Sequence, residues 1–219
     1  MTSKRESSTN RSLKRKVGTR RLKKVFRLYC EGRRTEPEYF EALKRQDWVR
    51  RDNYLEIRIA NFHGAPKNLV DRAIEDKVKF KVIEDGEDDE YWCVFDAESP
   101  IQDRKVLISV QRSADQGGVN LAISNPCFEI WLLLHLEECR KALSTEEACR
   151  LRRARDGSSD KGIDPGKYVE FIEQACERAK ENDRRHVDDG IDFPDNNPSS
   201  GMYKLIDALI ISAERSLHR

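Results

Sequence analysis

The chain of 219 residues has no apolar stretch approaching the roughly 18 residues that a membrane-spanning helix requires. Its N-terminus also lacks the apolar run of a secretory leader, so the expected location is the cytoplasm. Net charge is nearly absent: 41 basic residues against 40 acidic ones leave +1, and overall charge therefore selects no partner. The six cysteines (Cys30, Cys93, Cys127, Cys139, Cys149 and Cys176) include no C-x-x-C pair, and several lie in apolar runs where a free thiol packs as a small hydrophobe. Neither a zinc site nor a disulfide framework is expected from that spacing. A phosphate-binding loop is missing as well, because "GIDPGK" (162–167) has no apolar strand before it and no Ser or Thr after it. No nucleotide-binding motif appears anywhere, so ATP hydrolysis is not expected of this chain. There is no internal repeat and no heptad pattern.

What is present is a distribution. Residues 1–24 hold ten Lys or Arg against one acid, Glu6, in a Ser/Thr-rich setting, which reads as a disordered basic arm able to touch phosphates. From 25 to 143 the pattern alternates strand and helix. Strands are predicted at Val25–Cys30, Leu55–Ala60, Trp92–Phe95 and Leu121–Ile123. Between and after them come helices over "TEPEYFEALKRQ", opened by a Thr35/Glu38 capping box, "APKNLVDRAIEDKVKFKV", "DRKVLISVQRSADQ" and a long apolar "CFEIWLLLHLEECRKAL". Such alternation predicts an α/β fold, a mostly parallel sheet flanked by helices on both faces. Residues 144–219 read as a helical C-terminal extension packing on the core. A Ser144/Glu147 capping box opens it, one helix runs from Pro165 through "PGKYVEFIEQACERAKEN", and another starts at Pro198. The Asp-, Asn- and Pro-rich stretch between those two helices reads as a mobile or partner-contacting loop.

The third strand, "YWCVF", is apolar throughout and stops on Asp96 and Glu98. In an open parallel sheet the ligand site lies beyond the carboxyl ends of the strands. Residues two apart on an extended chain point the same way, so Asp96 and Glu98 are expected to act together. Glu31, directly after the first strand, joins them if strands one and three are neighbours. Three crowded carboxylates repel one another unless a cation intervenes, and an all-oxygen set favours Mg²⁺ or Mn²⁺. The plainer alternative is that all three serve helix N-termini. Arg33 and Arg34, just past Glu31, are placed either to hold phosphates or to be solvated. Lys161 and Lys167 are further candidates for a nucleic-acid backbone, and His135, on an apolar helix, reads as a packing residue.

Three stretches, "LYCEGRRTEPEYFEALK", "YWCVFDAESP" and above all "LAISNPCFEIWLLLH", resemble the RloB family, prokaryotic proteins often found beside restriction-modification or ATPase genes and placed with the TOPRIM fold. The resemblance implies a TOPRIM-type, Mg²⁺-dependent nuclease acting on DNA or RNA in anti-phage defence with a partner ATPase. It makes Glu31 the acid after the first strand and Asp96 the first of a D-x-D pair. Here that pair reads Asp96-Ala97-Glu98, one methylene longer. Glu129, in "NPCFEIW", also stands where the family carries an acid, as a metal ligand or as a residue stabilised by the helix dipole. A non-catalytic binding module on the same scaffold is the alternative from a different class.

Overall fold

The computed structural model describes residues 23–52, 54–83, 88–158 and 162–217. The alternation read from the sequence gives β1 (Lys24–Cys30), α1 (Thr35–Leu43), a short α2 (Asp47–Arg50), β2 (Leu55–Ile59), α3 (Pro66–Ile83), β3 (Glu90–Asp96), α4 (Arg104–Gly117), β4 (Asn120–Asn125) and α5 (Glu129–Leu136). Then follow α6 (Thr145–Asp156), α7 (Gly166–Val169), α8 (Ile172–Asp188), β5 (Ser199–Ser200) and α9 (Met202–Leu217). Among the described residues the strands form one sheet in the order β2-β1-β3-β4-β5. The first four are parallel, and only β5 runs antiparallel. β1 and β3 are therefore neighbours, with Cys30 beside Val94 at their carboxyl ends.

The pleat sorts the core into two layers. Phe26, Leu28 and Cys30 of β1, with Trp92 and Val94 of β3, face α1 and α5–α9. Tyr29, with Tyr91, Cys93 and Phe95, faces α3 and α4. A strand covered on both sides has no polar face to show, which is why β3 reads as a continuous apolar run. One polar exception is Arg27, which is buried: its guanidinium donates to Asp89 Oδ2 at 3.0 Å and lies 3.9 Å from the Phe80 ring.

Several expectations need correction. Thr35 is the first residue of α1, not its N-cap; that position falls on Arg34, which makes no side-chain capping bond. α5 is half the expected length. Its C-terminal carbonyls at Leu134 and His135 accept from Arg178, and Asn182 takes the Cys139 carbonyl, so side chains of α8 divert the chain where helix would have continued. The helix expected from Pro165 breaks at Glu170–Phe171 into α7 and α8. Pro198 does not start α9, because Ser199 and Ser200 first pair with Asn125 and Ser124. Gly201 then passes so close to β4 that a Cβ would sit 3.2 Å from the Ile123 nitrogen. The segment expected to be a loop is helical to Asp188 and then packs on the sheet edge, with Asn125 donating to the Pro194 carbonyl at 2.8 Å. The Ser144/Glu147 capping box is present as predicted. His135 is a packing residue, bonded to the Trp131 carbonyl at 2.8 Å and to the Tyr39 hydroxyl at 3.1 Å.

Candidate metal centre

The carboxyl edge of the sheet gathers acids from four segments. Glu31 follows β1, and its backbone N–H extends the ladder by donating to the Val94 carbonyl at 2.9 Å. Its carboxylate turns back to accept from the Asp96 N–H at 3.1 Å, tying the ends of β1 and β3 together through a side chain. Asp96 is the last residue of β3. Glu129 opens α5, with its side chain 16% exposed and one oxygen 4.0 Å from Arg152.

A further acid, which the strand-end pattern does not predict, joins this edge. Glu36, in the first turn of α1, is buried and folds back over Gly32, accepting from its N–H at 2.9 Å. Gly32 is needed for this contact, since a Cβ would stand 2.1 Å from Glu36 Oε2. The sequence signal for it is the repeated acid in "EGRRTE", Glu31 and Glu36. His63, on the loop after β2, also reaches this edge: its Nδ1 lies 3.2 Å from the Cys30 carbonyl, and its charge acts on Glu36.

Glu98 arrives differently from the expectation. The strand ends at Asp96, and Glu98 sits in the left-handed region at φ 65°, so simple alternation does not aim it. Its N–H donates to the Pro126 carbonyl at 2.8 Å, and its Oε2 accepts from Thr145 Oγ1 at 2.7 Å. Thr145 Oγ1 in turn accepts from the Ser99 N–H at 2.9 Å. The start of α6 thus fixes the loop that carries Glu98, and these bonds hold a backbone conformation that costs a non-glycine residue about 1–2 kcal/mol.

The acids act on one another electrostatically, although no three of the five carboxylates have oxygens all within 4.8 Å of one another. Burial, then the charges of Glu36, Glu129, Glu31 and Glu98, push the Asp96 carboxyl well above the usual range. Glu31 is raised mainly by burial and further by Glu98 and Glu36, although the Asp96 N–H pulls it down. Glu36 is raised by burial and by Glu129, against the Gly32 N–H and His63. Desolvated carboxylates that also repel one another favour protonation, or a divalent cation that replaces the lost water. The donors Glu31, Glu36, Asp96, Glu98 and Glu129 are all hard oxygens, a chemistry that fits Mg²⁺ or Mn²⁺.

The basic candidates are less convergent. Arg33 is exposed, and Arg34 is exposed with its Nε 2.9 Å from Glu38. Lys167 already donates to the Asp156 carbonyl at 2.6 Å, at the C-terminus of α6. Lys161 lies outside the described residues, as do residues 1–22 of the basic arm. A cavity of about 300 Å³ beside β4, lined by Asp115, Asp183 and Lys204 among others, contains none of the five carboxylates. No helix among the described residues is long and apolar enough to cross a membrane.

These features define an α/β protein whose strand-end loops build an anionic centre at the carboxyl edge of a mostly parallel sheet. The sequence model of the RloB-like protein family matches residues 26–209, most of the chain, and the protein belongs to that family. No curated protein and no solved structure matches it.

Proposed function

We propose that this protein is a TOPRIM-type nuclease that hydrolyses phosphodiester bonds of DNA or RNA with Mg²⁺ or Mn²⁺, in a prokaryotic anti-phage defence system with a partner ATPase. The observation that supports this reading is the Glu31 carboxylate bonded to the Asp96 N–H between neighbouring strand ends, with Glu36, Glu98 and Glu129 in electrostatic reach and the carboxyls of Asp96, Glu31 and Glu36 all raised. Asp96, Glu98 and Glu129 would hold the ion together with Glu31 and Glu36. A divalent ion at such a centre supplies charge stabilisation for the phosphoryl oxygens and a more acidic bound water. Glu31 suits proton transfer, because its raised carboxyl is closer to neutrality than an ordinary glutamate. Arg33 and Arg34, exposed two and three residues after Glu31, would receive a phosphate backbone, Arg34 by giving up its Glu38 partner, and Arg does so bidentately. The basic arm, and Lys161 and Lys167, would add affinity without sequence preference.

A second reading, a non-catalytic nucleic-acid- or ATPase-binding module, draws support from Glu98, whose carboxylate is engaged with Thr145. Incubation with single-stranded DNA, plasmid and tRNA, in Mg²⁺, Mn²⁺ or chelator and with the neighbouring ATPase present, separates the two. The nuclease reading expects metal-dependent cleavage that Asp96→Asn eliminates. Silence on all substrates with the ATPase present favours the binding module.

A further inference from the structure

We propose that Cys127, Glu129 and Cys149 form a second metal site, which takes a single thiophilic divalent ion of the zinc class. The two sulfurs and a Glu129 carboxylate oxygen all lie within 4.8 Å of one another. Tetrahedral zinc, at about 2.3 Å from sulfur and about 2.0–2.2 Å from oxygen, needs its ligands a little under about 4 Å apart, so a small rotamer adjustment closes the set.

The three ligands stand on well-held elements. Cys127 is buried between β4 and α5, with its Sγ 3.9 Å from the Thr145 carbonyl. Cys149 is half-buried on α6, whose first turn is fixed by both halves of the Ser144/Glu147 capping box and by the Thr145 bond to Glu98. Glu129 closes the set from the first turn of α5. The partly exposed Cys149 and Glu129 leave a path from solvent, and three protein ligands leave the fourth position for water, as in open zinc sites. Two sulfurs and a carboxylate would carry more negative charge than one divalent ion cancels. Arg152, 4.0 Å from Glu129, offsets part of the excess.

Donor chemistry separates this site from the carboxylate centre. Sulfur selects zinc over Mg²⁺ or Mn²⁺, which prefer oxygen. Glu129 belongs to both sets, since its charge also bears on Asp96. An ion held by the thiols draws Glu129 away from the acids, so zinc antagonises Mg²⁺. That consequence rests on the nuclease reading, whereas the binding itself does not.

The test uses the full chain, reduced with a phosphine, stripped with chelator, desalted and titrated with Co²⁺ as the spectroscopic probe. The expected result is a sulfur-to-cobalt charge-transfer band in the near ultraviolet, together with intense tetrahedral bands in the visible. Both should saturate at one equivalent and be bleached by one equivalent of Zn²⁺, but not by excess Mg²⁺. Cys149→Ser and Cys149→Ala, checked for folding by circular dichroism, should lose most of the charge-transfer band and lower the Zn²⁺ affinity by at least about tenfold. A weak octahedral spectrum without charge transfer would place cobalt on the carboxylates alone and overturn the proposal. So would unchanged bands in both Cys149 variants.

Discussion

Asp96→Asn should stabilise the metal-free protein at neutral pH and leave it nearly unchanged in acid. In the folded chain the Asp96 carboxyl is held well above the ordinary range by burial and by Glu36, Glu129, Glu31 and Glu98. Unfolding returns it to about 3.9. Between those two values the folded state binds more protons than the unfolded state, so stability falls as pH rises and levels off above the folded value. Each unit of elevation corresponds to about 1.4 kcal/mol lost on reaching that plateau. The amide keeps the volume and removes the charge. For a chain of this size each kcal/mol relieved should appear as about 2–4 °C in Tm. Thermal melts in chelator from about pH 5 to about pH 8 should show the variant melting higher throughout, by a margin that narrows toward the acid end as pH approaches the unfolded value of about 3.9 and widens toward the alkaline end. Saturating Mg²⁺ or Mn²⁺ should reverse the order. At a hundred times Kd, mass action gives the wild type about 2.7 kcal/mol, and the variant should gain little of it. A variant less stable than wild type in chelator at high pH, or a difference independent of pH, would refute this electrostatic reasoning.

The other predictions concern separate parts of the centre. Gly32→Ala should cost under about 1 kcal/mol, because the new Cβ meets only the flexible end of Glu36, yet it should sharply weaken the metal-induced rise in Tm. Thr145→Val removes both the Glu98 and the Ser99 bonds and should lower stability by about 1–3 kcal/mol in denaturant titration. Arg152→Ala leaves Asp156 buried without its 2.9 Å partner and should cost about 3–5 kcal/mol by the same measurement. Deleting residues 1–24 should weaken nucleic-acid binding evenly across sequences and flatten its salt dependence by about 0.7–0.9 in log-log slope for each phosphate that the arm no longer neutralises.

The sheet was legible because a strand covered on both faces must be apolar throughout, and β3 is. Helix ends were legible only where side chains set them locally, as at Ser144. They were obscured where distant groups decide: Arg178 and Asn182, far along the chain, end α5. The break between α7 and α8 is invisible to periodicity, since Tyr168, Ile172, Ala175 and Ala179 keep a helical spacing across it and are all buried. At the acid centre, Glu31 and Asp96 could be placed from the strand ends alone. Glu36 could not, because its position depends on a return over Gly32 that sequence spacing does not specify. Strand alternation brings Glu98 to the end of β3 but does not aim it, since its left-handed backbone depends on partners at Pro126 and Thr145.

The most direct measurement is anomalous scattering at the manganese edge from crystals soaked in Mn²⁺. A shared metal centre predicts a peak among the carboxylates of Glu31, Asp96, Glu36, Glu98 and Glu129, absent from Asp96→Asn crystals soaked alike. A peak confined to another part of the surface, or none beside Asp96 at saturating Mn²⁺, would contradict it.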